Sequence, residues 1–224
     1  MKTSNIYAFF DIDGTLINFN SLLSFLDYMF RAYYGKSEGA RRLKVYQQLV
    51  SKIASPKREQ LNKLYYSNFR GMKQSLIARI SEEWFNTTFA DSGVFNEKCV
   101  IKLRQHQSDG HCIVIVSGGF FGTINPLARY LNIEHVLCVQ PLITQGRLTG
   151  EIDPAHQTIG RGKAIAIRNF MQLASRSKDS LSSCYAYGDH ISDVAMLAMV
   201  GNPVVVGADA ALLEQAKLSQ WQCL

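Results

Sequence analysis

Short apolar segments that end at polar or glycine-rich turns place the strongest constraint on the fold of this 224-residue chain. Residues 6–10 and 112–116 are apolar at every position, and each segment is long enough for one strand. Strands that are apolar on both faces are typical of a parallel sheet covered by helices on its two sides. Further strands are predicted at 135–139, 184–187 and 203–206, so the pattern predicts an α/β fold.

The chain between residues 20 and 89 has helical periodicity and no strand signal. Apolar residues recur at helical spacing after Asn20, and Gly35 is a suitable end for that helix. Ser55 and Pro56 resemble a helix N-cap followed by proline at the first helical position. This region is therefore predicted to form a small helical unit that follows the first strand.

Beyond residue 91 the pattern alternates between helices and strands. Helices are predicted near 96–107, 163–173 and 193–199, and a hairpin is predicted at 142–148. The domain prediction is an α/β core made of residues 1–16 and 97–224, with a helical domain at 17–96 inserted after the first strand.

Composition and cysteine usage limit the classes of protein that this chain can belong to. Hydrophobic residues make up 47% of it, and no apolar run approaches the ~18 residues that a membrane-spanning helix needs. The first apolar run is short and stops at carboxylates, so a signal peptide is not expected. The five cysteines form no Cys-x-x-Cys pair, which favours buried free thiols in a reducing compartment. A cytoplasmic protein is expected.

The net charge of +6 comes from the predicted helical insert. Residues 31–80 contain twelve Lys or Arg against two acidic residues, while the rest of the chain is net acidic. Because the excess of positive charge is confined to this segment, we do not predict a nucleic-acid partner. The basic charge fits either the solvated face of the helices or a surface that meets an anionic group.

Two carboxylates follow the first predicted strand, in the sequence Asp11-Ile12-Asp13-Gly14-Thr15. Residues i and i+2 of a strand face the same side, so Asp11 and Asp13 are expected to project together at its carboxyl end. Two adjacent acids repel each other and need a cation or a proton between them. Gly14 allows a tight turn, and Thr15 offers a hydroxyl group.

Two further segments have the composition of a phosphate site. Ser117 and the glycines Gly118 and Gly119 follow the second apolar strand, and a hydroxyl with backbone amides before a helix forms an anion site. Lys163 begins another helical pattern after Gly162 and is a candidate point-charge ligand for phosphate. Neither segment matches a P-loop or a dinucleotide-binding fingerprint.

A second acidic pair follows the strand predicted at 184–187. Asp189 and Asp193 lie four residues apart near a predicted helix start, so both can face one site. Carboxylate oxygens together with phosphate oxygens are the ligands that Mg²⁺ prefers. His190 has no partner histidine at ligand spacing and is interpreted as a loop residue.

These motifs, taken together and in this order, resemble the haloacid dehalogenase superfamily of phosphotransferases and its phosphoserine phosphatase-like branch. The resemblance covers most of the chain and extends to the segments at 149–152, 188–193 and 201–206. It implies a doubly wound, Rossmann-like parallel-sheet core with a helical cap domain inserted after the first strand. It also places the site outside the carboxyl ends of the strands.

The mechanism that these residues suggest agrees with the mechanism of that family. Asp11 is the expected nucleophile that forms an aspartyl-phosphate, and Asp13 is the expected general acid and base. Mg²⁺ is expected on the side chains of Asp11 and Asp189 and the carbonyl of Asp13, with Asp193 supporting the metal or Lys163.

Ser117, the Gly118 amide and Lys163 are the expected phosphate ligands. The expected activity is Mg²⁺-dependent hydrolysis of a small phosphorylated metabolite.

The resemblance leaves the substrate open. Phosphoserine phosphatases hold a glutamate for the substrate ammonium at the position of Asn20, and an asparagine cannot neutralise that charge. Arg70 is the candidate counterpart of the arginine with which those enzymes bind a carboxylate. The alternatives are phosphoserine phosphatase proper and a peripheral membrane enzyme that dephosphorylates lipid phosphates through the basic insert.

Overall fold

The computed structural model describes residues 6–53, 58–90, 92–173 and 178–224. The helix start predicted at Ser55 and Pro56 lies outside these residues. The strands are β1 (Tyr7–Phe10), β2 (Cys112–Ser117), β3 (His135–Cys138), β4 (Pro141–Thr144), β5 (Arg147–Ile152), β6 (Tyr185–Gly188), β7 (Asn202–Val205) and β8 (Gln222–Cys223). The α-helices are α1 (Ser21–Tyr34), α2 (Lys36–Ser51), α3 (Arg58–Ser67), α4 (Gln74–Thr88), α5 (Glu97–Ser108), α6 (Phe121–Tyr130), α7 (Arg161–Leu173), α8 (Val194–Leu197) and α9 (Ala210–Ser219).

A parallel sheet with the order β3-β2-β1-β6-β7-β8 forms the centre of the described structure. Side chains alternate between its two faces, as the two-residue period of a strand requires. Phe9 packs with the apolar residues of α7 and α9, whereas Phe10 packs on the opposite face, which also receives α5 and the helical insert. The α/β fold with a parallel sheet is confirmed.

The insert follows β1 and contains α1 to α4. Asn20 caps α1 because its side chain accepts a hydrogen bond from the Leu23 amide at 2.8 Å. Gly35 ends that helix at φ +85°, in the backbone region that glycine tolerates without strain, and α2 begins at the next residue. The helix predicted after Asn20 therefore begins and ends where the sequence indicates.

An aromatic cluster joins the insert to the sheet. Phe25 of α1 lies 5.7 Å from Phe120 and 5.5 Å from Trp84 of α4, between ring centroids. Phe69, just after α3, lies 5.3 Å from Phe120. All four side chains are fully buried, so the insert packs on the α/β core through a continuous apolar contact. The domain boundaries predicted at residues 17 and 96 stay a prediction.

The hairpin β4–β5 forms a separate two-stranded antiparallel sheet that contacts the insert. The amide of Gly71 donates to the Leu148 carbonyl at 2.7 Å, and the amide of Leu148 donates to the Met72 carbonyl at 2.9 Å. The segment after α3 therefore adds to the hairpin by backbone hydrogen bonds. None of the helices in the described residues is long and apolar enough to cross a membrane.

A buried histidine packs against the side chain of Tyr187 on one face of the sheet. His106 of α5 contacts the Tyr187 hydroxyl through Nε2 and His111 through Nδ1, each at 2.8 Å. Burial and the neighbouring His111 lower the pKa of His106 to about 4. The folded protein therefore holds this side chain neutral at pH values where an unfolded chain would protonate it.

We expect folding stability to fall as the pH drops from about 6.5 towards about 4, because only the unfolded state takes up a proton on His106 in that window. The free energy of unfolding should fall between about pH 7 and pH 4.5 in the wild type. In the His106→Gln variant this fall should be smaller by about 1–3 kcal/mol. Denaturant titrations at the two pH values measure this difference, and His135→Gln, at an exposed histidine, is the control. Equal pH dependence in the wild type and the His106 variant would contradict this assignment.

Candidate active site

The first acidic motif forms a tight turn at the carboxyl end of β1. The amide of Asp11 donates to the Tyr187 carbonyl at 3.0 Å, which ties the motif to β6. The turn closes through a hydrogen bond from the Gly14 amide to the Ile17 carbonyl at 2.8 Å. Asp11 is buried and Asp13 is half-buried, and both line one cavity, as their spacing predicts.

Lys163 connects the two acidic motifs. Its Nζ lies 2.7 Å from Asp11 Oδ1 and 2.7 Å from Asp193 Oδ1, and all three side chains are buried. Burial alone would lower the pKa of Lys163, but the two carboxylates raise it above its ordinary value. The lysine is therefore charged, and it holds two carboxylates from distant parts of the chain in fixed positions.

Asp189 approaches the first motif from β6. Its Oδ1 accepts a hydrogen bond from the Thr15 hydroxyl at 3.2 Å. Gly14 has φ +79°, and a Cβ atom at this position would overlap the Asp189 carboxylate. The glycine of the motif thus permits both the backbone conformation and the close approach of Asp189.

Carboxylate oxygens of Asp11, Asp189 and Asp193 all lie within 4.8 Å of one another. The pKa of Asp11 is raised to about 7 and that of Asp13 to about 6, and burial is the main cause of both shifts. The neighbouring carboxylates add to the rise at Asp11, and Lys163 opposes it. Such a cluster attracts a divalent cation, which would cancel the repulsion between the acids.

The glycine-rich loop after β2 forms the opposite side of the same cavity. Ser117 is buried, and its hydroxyl oxygen accepts a hydrogen bond from the Gly119 amide at 3.1 Å. The Gly118 carbonyl accepts hydrogen bonds from the Tyr66 hydroxyl at 3.2 Å and the Asn62 side chain at 3.5 Å. Helix α3 of the insert therefore contacts the candidate phosphate loop directly.

The two residues predicted to select the substrate lie in different places. Asn20 lines the cavity, which has a volume of about 730 Å³, although its side-chain oxygen already caps α1. Arg70 is not among the residues that line the cavity. Its side chain is 66% exposed and lies 3.7 Å from Glu151 on the hairpin, so the structure does not bring Arg70 to the site. The side chain lies against the hairpin, and the role of Arg70 in substrate binding stays a prediction.

The cavity is also lined by residues that no sequence motif indicates. Asn62, Tyr65, Thr158 and Ile159 line it, the first two from α3 and the others from the loop before α7. Tyr65 belongs to an aromatic run that is equally typical of a helix-bundle core. The other three belong to no motif, and only the three-dimensional arrangement identifies them.

Comparison with known proteins places this arrangement in a family. The model of haloacid dehalogenase-like hydrolases matches residues 8–198, a range that contains every acidic residue of the site and Lys163. The chain belongs to the haloacid dehalogenase-like hydrolase family. The resemblance found in the sequence motifs is thus confirmed.

Curated relatives of this hydrolase include proteins named as phosphatases. The chain is 29% identical to a probable phosphatase of Mycobacterium tuberculosis over 223 residues, which cover 97% of this chain and 74% of that protein. It is 27% identical to a phosphoserine phosphatase of the same organism, over 96% of this chain and 69% of that protein.

Solved structures show the same fold at lower identity. A Bordetella pertussis protein of unknown function aligns with a TM-score of 0.86 at 21% identity, over 99% of both chains. A phosphoserine phosphatase in the form of a phospho-aspartyl intermediate analogue aligns with a TM-score of 0.65 at 16% identity, over 98% of this chain and 92% of that chain.

The Gly14→Ala variant should lose hydrolytic turnover by about 100-fold or more, because its Cβ displaces the Asp189 carboxylate from the site. Gly71→Ala is the matched control, since Gly71 has the same φ of +79° and no atom within 4 Å of an added Cβ. Both variants should lose ~1–2 kcal/mol of unfolding free energy from the left-handed backbone. Phosphate release and denaturant titration measure the two effects, and equal turnover in the two variants would contradict the contact.

Proposed function

We propose that this chain hydrolyses a small phosphorylated metabolite as a Mg²⁺-dependent phosphomonoesterase that forms an aspartyl-phosphate. The observation that carries the proposal is the buried ion pair of 2.7 Å between Lys163 and Asp11 at the floor of the cavity, beside the Ser117 loop. The pair combines a nucleophile and a phosphate-binding cation in one place. Relatives named phosphatase support the same class of reaction.

The residues present fit a divalent cation. Asp11 and Asp189 would hold Mg²⁺ through their side chains, and Asp13 would hold it through its backbone carbonyl. Asp193 fits a supporting role because Lys163 contacts its Oδ1 and the His190 amide donates to its Oδ2 at 3.3 Å. When bound, Mg²⁺ would supply positive charge that offsets the repulsion between the carboxylates and a phosphate dianion.

Asp11 is the proposed nucleophile. Lys163 holds one of its carboxylate oxygens, which leaves the second oxygen for attack on phosphorus. A bond forms between this oxygen and phosphorus while the bond from phosphorus to the alcohol oxygen breaks. Ser117, the Gly118 amide and Lys163 would hold the phosphoryl oxygens in line during this step.

Asp13 is the proposed general acid and base. Burial raises its pKa to about 6, so a useful fraction carries a proton near neutral pH. In the first half-reaction this proton goes to the alcohol oxygen as it leaves. In the second half-reaction Asp13 takes a proton from water, the water oxygen attacks phosphorus, and the bond to Asp11 breaks to release inorganic phosphate.

We also propose that residues 17–96 act as the cap that selects the substrate, while residues 1–16 and 97–224 carry out the chemistry. The contacts of Asn62 and Tyr66 with the Gly118 carbonyl support this division, because they hold α3 over the phosphate loop. A cytoplasmic location is proposed from the five free cysteines, which suit a reducing compartment.

Asp11→Asn should lower turnover of every phosphomonoester by ~1000-fold or more, because an amide is a poor nucleophile of nearly the same size. Asp13→Asn should lower turnover of alkyl phosphates by ~100-fold or more and affect an aryl phosphate less, since a good leaving group needs little protonation. Phosphate release measures both, and Asp109→Asn, at an exposed acid that ends α5, is the control. Wild-type rates in Asp11→Asn would exclude covalent catalysis by Asp11.

Removal of divalent cations with EDTA should abolish phosphate release, and added Mg²⁺ should restore it. Mg²⁺ should also raise the thermal unfolding temperature, because a ligand that binds only the folded state stabilises it. Asp189→Asn should lose most of this temperature shift, whereas Asp153→Asn, outside the cavity, should keep it. Full activity in EDTA, or an unchanged shift in Asp189→Asn, would contradict the metal assignment.

A further inference from the structure

The charged side chains that line the cavity lie together at the end that contains Asp11. Among the side chains that the structure describes, the charged ones lining it are Asp11, Asp13, Lys163 and Asp189, which all belong to the phosphate end. The remaining lining residues carry no charge. Within the described part of the cavity, a substrate therefore meets full charges only around its phosphoryl group.

The basic residues of the insert lie elsewhere. None of the lysines and arginines that the structure describes in α1 to α4 lines the cavity. Several instead pair with acids on the surface: Arg31 with Asp27, Arg41 and Arg42 with Glu38, and Arg79 with Glu83. An ammonium or carboxylate group on the leaving alcohol would thus lose water without a charged partner in the described part of the cavity, which is unfavourable.

Apolar side chains from the insert form much of the remaining cavity wall, beside the polar side chains of Asn20, Gln47, Ser51 and Asn62. Leu22 and Leu23 come from α1, Tyr46 and Val50 from α2, and Leu61 from α3. Three helices thus present aliphatic or aromatic carbon to the same space. Contact with such a wall favours binding of an apolar substrate, because it removes apolar substrate surface from water.

One polar group in this wall has no hydrogen-bond partner in the described part of the chain. The Tyr65 side chain is 3% exposed, and its hydroxyl has no hydrogen-bond partner among the described residues. Burial raises the pKa of Tyr65, and the charge of the nearby Asp13 adds to the rise, so the hydroxyl keeps its proton. Because a buried hydroxyl without a partner is unfavourable, Tyr65 is set to donate a hydrogen bond to an oxygen of the substrate close to the phosphoester.

We propose that the leaving alcohol is an uncharged, largely apolar chain that carries a hydrogen-bond-accepting oxygen near the phosphoester. This inference rests on the phosphomonoesterase function proposed above and specifies its substrate class. The insert helices would bind the chain, Tyr65 would bind the oxygen, and the charged floor would bind the phosphoryl group. An amino acid phosphate does not have this chemistry.

The chain-length dependence of kcat/KM tests the apolar wall in the wild-type protein. A series of n-alkyl phosphates from ethyl to octyl keeps the leaving-group basicity nearly constant while it changes the buried apolar area. We expect kcat/KM to rise by about two- to fourfold per methylene until the cavity is filled, as apolar transfer predicts. Phosphoethanolamine and phosphoserine should be poorer substrates than propyl phosphate.

Two neighbouring residues of α2 provide a matched pair of variants. Val50 lines the cavity, whereas Leu49 is 47% exposed and does not. Val50→Asp should lower the ratio of kcat/KM for octyl phosphate to that for ethyl phosphate by about tenfold or more, because a charge replaces part of the apolar wall. Leu49→Asp should keep the wild-type ratio, and equal ratios in the two variants would overturn the proposal.

A pair of esters with equal chain length tests Tyr65. Octyl phosphate and 2-(pentyloxy)ethyl phosphate differ by one ether oxygen close to the phosphoester. Tyr65→Phe should lower the ratio of kcat/KM for the ether ester to that for octyl phosphate by about two- to tenfold, the range for one hydrogen bond. An unchanged ratio would overturn the role of Tyr65.

These experiments distinguish a wrong substrate class from a wrong proposed function. A preference for phosphoserine, or a kcat/KM that does not depend on chain length, would overturn the apolar substrate class while phosphatase activity persists. Absence of phosphate release from every ester, an activated aryl phosphate included, would overturn the proposed function as well.

Discussion

The ion pairs of Lys163 are the interaction on which the site depends. A single ammonium lies 2.7 Å from carboxylate oxygens of both Asp11 and Asp193, and so joins α7 to the end of β1 and the turn before α8. Removing one partner from a buried pair costs about 3–5 kcal/mol, since it leaves a charge without a counterion. The buried lysine therefore holds the acidic residues at a separation where their mutual repulsion would otherwise drive them apart.

The parallel sheet makes this interaction possible. The strands β1, β2 and β6 are neighbours and end at the same edge, so Asp11, Ser117 and Asp189 meet although the chain separates them widely. The insert then closes the space above this edge, with Asn62 and Tyr66 hydrogen-bonded to the Gly118 carbonyl. The proposed phosphate binding and leaving-group selection would thus use two different parts of the chain that are in direct contact.

Much of the core could be predicted because its signals are local. The two-residue period of β1 puts Asp11 and Asp13 on one side, and the apolar runs identify the central strands before any contact is known. The cap on α1 and the glycine that ends it are also local signals. By contrast, α9 and β8 follow the last predicted strand, and the two residues of β8 are too few for a periodic pattern.

The leaving-group side of the site could not be predicted, because it depends on how helices pack. The basic composition of the insert is compatible with an anionic ligand, yet the described basic side chains lie outside the cavity. Arg70 matches a family role only by approximate position, and in the structure its side chain lies 3.7 Å from Glu151. Tyr65 is one of several tyrosines and phenylalanines with similar spacing, and only burial without a partner distinguishes it.

The chemical identity of the phosphorylated residue tests the central claim most directly. Enzyme quenched in acid during turnover of an aryl phosphate, and then digested, should carry one phosphoryl group on the peptide that contains Asp11, located by fragmentation in a mass spectrometer. The Asp13→Asn variant should increase its amount, because the second half-reaction then lacks its general base. A phosphoryl group on a different residue, or none in either protein during turnover, would contradict an account in which Lys163 holds Asp11 as the nucleophile.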